Sequence, residues 1–267
     1  PGTGEYKFKV KREGSFAEKE FTAKRAAYNA SYVKLYVSEG SFVVSTDKKT
    51  ELSPREDRIE GLADDAAVMR FTRFSGNAAE QFKAAAEYLK NNGKTKLVLD
   101  LRGNGGGQMT VLENIAGYLI DNDGKTGTIS VCRGKSEKHT EVFSTKFNVY
   151  LSFLNKTVVI ADENTASASE ALLGAMLYYG AAERDNNFSL NDLVIVKREG
   201  EEKGRTYGKG IMQTTYNLVG GSALKLTTAK IYWPDGETCI HETGIIATEE
   251  NSVTAANAIA RALQILG

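Results

Sequence analysis

Residues 66–101 read AAVMRFTRFSGNAAEQFKAAAEYLKNNGKTKLVLDL, and the spacing of their apolar positions changes twice. Ala67–Phe71 has the length and content of a buried strand. From about Asn77 to Asn92 the period is helical, with Phe82, Ala85, Ala86 and Leu89 on one face. Asn77, three residues before Glu80, is a helix-start signal of the capping-box type, and Asn92-Gly93 is a stop. Lys96–Leu101 is again an apolar strand, so the segment is a β-α-β unit.

The same alternation continues downstream. Leu112, Ile115, Ala116 and Leu119 lie at helical spacing within 111–120, a buried strand follows at Thr157–Ala161, and another helix runs from Ser167 toward Tyr179. This order implies an α/β fold in which helices cover a mixed or parallel sheet. Further strands are expected at Leu193–Lys197 and Leu224–Trp233. A final helix near Val253–Leu266 should turn Ile259 and Leu263 inward, and Lys197–Gly204 reads as a solvated charged loop. Upstream, Tyr6–Val10 and Lys19–Ala23 alternate around Gly14 as a hairpin, which is marginal without partner strands.

Composition narrows the function classes. At 267 residues the chain can bury one large core, and no apolar run approaches the roughly 20 residues of a bilayer helix. Thirty-four basic residues balance 34 acidic ones, so no overall field attracts nucleic acid or an anionic membrane. Cys132 and Cys239 lack metal or redox spacing, and two unpaired core thiols are the commoner arrangement. A start at Pro1, with no initiator Met or signal peptide, suggests a piece of a longer precursor.

Three segments carry candidate chemistry: 99–107 (LDLRGNGGG), 164–170 (NTASASE) and 207–213 (YGKGIMQ). The glycine run fails both nucleotide patterns, because Gln108 stands where GxGxxG from Gly103 needs Gly and no Lys-Ser/Thr follows. It is either a plain turn or a source of backbone N–H groups for an oxyanion. Ser167 reads as a helix cap, as most such strings of small residues do, or as a hydroxyl facing the positive end of a helix. Lys209, between Gly208 and Gly210, reads as an exposed turn lysine or as a base. A basic role requires the neutral amine, and bringing an ordinary lysine from about 10.4 to near 7 takes roughly 4–5 kcal/mol from burial and a polar partner.

The order of these segments, followed by LKLTTAKIYWPDG, resembles the core of the C-terminal processing (tail-specific) serine proteases from about residue 66 to 248. The resemblance implies a crotonase/Clp-like ββα core with a mixed sheet over residues 26–267. It makes residues 1–25 the closing strands of a truncated PDZ-like domain. It also implies Ser167, not Ser169, as nucleophile, Lys209 as general base and Gln213 as the residue orienting it. The amides of Ala168 and Gly106 would form the oxyanion hole, with Gly107 as the alternative donor. No metal or organic cofactor is implied. Substrates would be unfolded or flexible protein C-terminal segments, and the setting a bacterial envelope or the extracellular space. Gly105 replaces a proline common in the family's glycine turn, and extra residues around 183–204 lengthen the interval between Ser167 and Lys209.

His139 and His241 belong to none of the resembling segments, which argues against a Ser-His-Asp triad. Two rival readings remain: a catalytically silent peptide-binding scaffold of the same fold, and a crotonase-like acyl-CoA enzyme that needs no Ser-Lys pair.

Overall fold

The computed structural model describes residues 4–14, 17–24, 30–46, 50–180 and 188–267. The chain divides into two compact units, Pro1–Ala30 and Ser31–Gly267. The first holds the antiparallel pair β1 (Glu5–Lys11) and β2 (Glu18–Lys24), joined through Gly14 at φ 80°. Tyr6, Phe8, Val10 and Phe21 share an exposed face of this hairpin.

The second unit begins with a meander, β3 (Val33–Val37), β4 (Gly40–Thr46) and β5 (Thr50–Arg55). The β-α-β segment follows as β6 (Ala66–Phe71), α1 (Ala78–Asn91) and β7 (Lys96–Asp100). Next come α2 (Met109–Leu119), β8 (Thr128–Arg133), β9 (Thr140–Ser144), β10 (Lys156–Ala161) and α3 (Ala168–Gly180). The chain closes with β11 (Leu193–Val196), β12 (Ile211–Asn217), β13 (Ala223–Tyr232), β14 (Ser252–Val253) and α4 (Ala258–Leu266).

An eight-stranded mixed sheet runs β14-β11-β10-β7-β6-β3-β4-β5, parallel from β14 through β6 and antiparallel in the meander. Its central strands are apolar on both faces because both are covered. Met69, Phe71, Leu97, Leu99 and Val159 pack with α1, α2 and α3 on one side. Val68, Val98, Val158 and Ile160 pack with α4 on the other. Each such fully buried side chain contributes about 1.5–3 kcal/mol relative to exposure. A separate antiparallel sheet, β12-β13-β8-β9, stands beside this core.

The expected strands and helices of 66–101 are present, with β6 and β7 parallel. Gly93 takes φ 62° at the helix end, as the stop signal requires. The capping box does not form. The Asn77 Nδ2 instead donates to the Thr46 carbonyl at 3.1 Å, and its Oδ1, the atom a cap would use, accepts from Gln81 Nε2 at 3.4 Å. The last helix starts later than expected, after β14 and a short turn at Ala255–Asn257. Its buried stripe is Ala258, Ala262 and Leu266, with Ile259 and Leu263 only partly buried at its sides, since close approach to the sheet favours alanine. The meander, β8, β9 and β12 were not expected from the sequence. Of the extra segment 183–204, residues 183–187 lie outside the described residues, and the KREG stretch is an exposed turn.

Candidate active site

Parallel strands end together, so the loops leaving β6, β7 and β10 meet at one edge of the sheet, where open α/β sheets commonly build sites. Asp100 closes β7 and is buried; it accepts from Arg102 Nε at 2.9 Å and Nη2 at 2.7 Å, which fixes the start of the glycine turn. Asn104 then ties the loops together. Its Nδ2 donates to Phe71 O at 3.0 Å, its Oδ1 accepts from Gly106 N at 3.0 Å, and its carbonyl accepts from Ala166 N and Ser169 Oγ. Thr165 Oγ1 adds a bond to Leu101 O at 3.0 Å.

Ser167 sits immediately before α3 with φ 59°, a left-handed conformation uncommon for a residue with a side chain. Its N–H donates to Glu170 Oε2 at 2.9 Å, which is half of a capping box. The other half is missing, because the Ser167 hydroxyl makes no hydrogen bond among the described residues and lines a cleft instead. Ser169 is fully buried and donates to Asn104 O at 2.9 Å, so the structure separates the two serines.

Glu170 is fully buried, and its carboxylate joins two loops. Oε1 accepts from Thr206 Oγ1 at 2.5 Å and Gly208 N at 2.7 Å; Oε2 accepts from Ser167 N and Lys209 N, each at 2.9 Å. The backbones of Ser167 and Lys209 are thus held by one oxygen atom. Neither Asn104 nor Glu170 was given a role from the sequence, although both stand inside the quoted motifs. The signal was a polar residue inside each string of small ones.

Lys209 is half-buried and lines the same cleft as Ser167 and Gln213. Its flanking glycines are required by packing. A Cβ on Gly208 would come within 2.9 Å of Gly244 N, and one on Gly210 within 2.7 Å of His241 N. The glycines therefore seat the backbone against residues 241–244. Gln213 follows a register shift in β12, a place where strands re-aim side chains. Among the described residues, Lys209 Nζ makes no hydrogen bond to Ser167 Oγ or to Gln213; catalytic bonds are often long before substrate binds.

The Ala168 N–H, at the first turn of α3, has no hydrogen-bond acceptor among the described residues. The Gly106 N–H is engaged by Asn104, whereas the Gly107 N–H has no acceptor among the described residues. Gly106 still touches the Ser167 loop closely: a Cβ there would lie 2.6 Å from Ala166 O and 2.9 Å from Ser167 Cβ. Ser167, Lys209, Gln213, Gly106 and Gly107 together border a cleft of about 700 Å³. His139 and His241 lie outside its lining. Cys132 and Cys239 are both free, and burial pushes the Cys132 thiol up to about 11.

The profile of peptidase family S41 matches residues 65–183 and 202–251. The chain belongs to peptidase family S41. The break in the match falls on the segment that lengthens the Ser167–Lys209 interval. Among curated relatives, a "Probable CtpA-like serine protease" of Staphylococcus haemolyticus is 29% identical over 217 residues, covering 80% of this chain and 38% of the relative. One from Staphylococcus aureus strain COL is 31% identical over 179 residues, covering 67% and 32%. The chain thus spans about a third of the length of these relatives. The photosystem II D1 C-terminal processing protease shares the fold, with TM-score 0.53, 23% identity, and coverage of 91% of this chain and 54% of that one. A putative S41 protease from Bacteroides fragilis does likewise, with TM-score 0.55, 13% identity, and coverage of 89% and 66%.

Proposed function

We propose that this chain is the catalytic part of a serine endopeptidase working through a Ser167–Lys209 dyad and an acyl-enzyme. The observation that carries the reading is the pairing at Glu170. The backbone N–H groups of a left-handed Ser167 and of Lys209 are held by one buried carboxylate oxygen, which leaves the Ser167 hydroxyl free beside amides that have no partner among the described residues. Neutral Lys209 takes the Ser167 proton, Ser167 Oγ attacks a peptide carbonyl, and the Ala168 N–H stabilises the oxyanion together with a glycine-turn N–H. In this conformation Gly107 offers that second donor, because Gly106 is committed to Asn104. The protonated Lys209 then returns its proton to the leaving amine, and water resolves the ester. Gln213 orients the lysine.

The substrates in this reading are flexible protein C-terminal segments, and the setting is an exported one, in keeping with the family resemblance. The exposed apolar face of the β1–β2 hairpin supports its being a fragment of a larger, PDZ-like sheet domain.

A fluorophosphonate probe and cleavage of a disordered protein test the reading together. Wild type and Ser169→Ala are expected to label and cleave, while Ser167→Ala does neither. Lys209→Arg should be nearly as damaging as Lys209→Ala, since a guanidinium stays protonated. Labelling that persists in Ser167→Ala, or strong turnover by Lys209→Arg, refutes the dyad. The rival scaffold predicts peptide binding with no labelling of the wild type.

A further inference from the structure

The cleft carries charge of one sign. Among the described residues its charged lining residues are Arg73, Lys209 and Lys225, and no Asp or Glu borders it. An overall basic chain is not the cause, because acidic and basic residues balance at 34 each. Arg73 and Lys225 are exposed, and neither makes an ion pair among the described residues.

The two cations are placed by different elements. Phe74 N donates to Gly106 O at 3.1 Å and Phe74 O accepts from Gln108 N at 2.8 Å, which pins the neighbouring Arg73 beside the glycine turn. Lys225 comes from β13. Its cross-strand partner is Thr215, two residues from Gln213, so Lys225 and Gln213 share a sheet face. Once Lys209 has entered the reaction as the neutral amine, Arg73 and Lys225 remain as the cleft's fixed positive charges.

We propose that Arg73 and Lys225 form a carboxylate receptor, so that favoured substrates carry a carboxylate near the scissile bond. The carboxylate comes from an Asp or Glu side chain or from the substrate's own C-terminus. The proposal rests on the reading of this cleft as the peptide-cleaving site and specifies its substrate class. Because both cations are solvent-exposed, each should favour a carboxylate by only about two- to five-fold, and the pair by roughly ten-fold. The preference should fade in about 1 M salt, where the screening length is about 3 Å.

The test is a matched set of quenched-fluorescence peptides sharing one cleavable sequence: neutral with an amidated end, the same with a free acid end, and amidated versions with Glu or Gln flanking the bond. Values of kcat/KM are measured for wild type, Arg73→Gln, Lys225→Gln and the double variant. The same peptides are bound to Ser167→Ala and to Ser167→Ala carrying both Gln changes. Wild type should prefer one or both carboxylate arms, the arm identifying the source, and the preference should fall toward one in the double variant. Equal treatment of acidic and neutral peptides in cleavage and in binding, or a preference unchanged by both substitutions, overturns the receptor. If nothing is cleaved but Ser167→Ala still selects carboxylates through Arg73 and Lys225, the peptidase reading fails and the receptor stands.

Discussion

Replacing Glu170 by Gln changes one atom of a buried carboxylate that accepts four hydrogen bonds. If the new NH₂ takes the place of Oε2, it faces the N–H groups of Ser167 and Lys209 and leaves both without an acceptor. If it takes the place of Oε1, it faces the Thr206 hydroxyl, which can rotate to accept, and the Gly208 N–H, which cannot. The second orientation is cheaper and orphans one buried donor, costing about 1–3 kcal/mol. The bonds kept by Ser167 and Lys209 also lose their charge assistance, roughly 1 kcal/mol each. Relief from burying a charge offsets part of this, leaving a net loss of about 3 kcal/mol. In urea that is a midpoint shift of about 1 M at an m-value of about 3 kcal/mol/M. Since Gly208 adjoins Lys209, kcat should fall at least about ten-fold with KM little changed, the pattern of a lost positioning contact. Glu170→Asp, too short to reach both loops, should behave similarly. Unchanged midpoint and unchanged kcat in Glu170→Gln would refute the clamp. A shifted midpoint with wild-type kcat would leave it a structural bond without catalytic consequence.

Gly106→Ala should reduce kcat/KM by about 100-fold or more, the range for a disrupted oxyanion site. Its Cβ would meet Ala166 O, Ala168 N and Ser167 Cβ at 2.6, 2.7 and 2.9 Å from a backbone at φ 89°; retention of activity in steady-state assays would show that the turn relaxes without moving the nucleophile. Iodoacetamide should alkylate Cys239 in the folded chain and spare Cys132, as read by peptide mass mapping, because burial holds the Cys132 thiol protonated. As pH rises from the ordinary value of 9.0 toward about 11, the unfolded chain sheds that proton and the folded chain does not. Folding stability should therefore fall through this window, and Cys132→Ala should remove that part of the slope.

Local pattern was enough for the β-α-β unit, since strand and helix periods differ and Gly93 marks a left-handed stop that few other residues adopt. The motifs likewise isolated Ser167, Lys209 and Gln213 as residues bordering one site. The meander went unread although Val33, Leu35 and Val37 are buried and alternate with half-buried Lys34 and Tyr36. Asn77 shows the limit of local rules: its spacing fits a cap, yet its Nδ2 goes to the Thr46 carbonyl, 31 positions away, and its Oδ1 accepts from the Gln81 side chain and not from the backbone.

The distinction between Ser167 and Ser169 was available from sequence only through resemblance. In the fold it follows from which hydroxyl reaches Asn104, 65 positions from Ser169. Glu170 is the clearest case. Its neighbours in sequence explain the bond to Ser167, but the bonds to Thr206, Gly208 and Lys209 span 36 to 39 positions and arise only when β10, α3 and the lysine turn are brought together. Sequence determined which residue types stand in the three motifs, because side-chain type and near-neighbour backbone preference are local properties. Tertiary structure decided which hydroxyl is free, which amides are unpaired and which carboxylate joins the loops. Hydrogen-bond partners are chosen by proximity in space, and the competition for each donor is settled only after the core has packed.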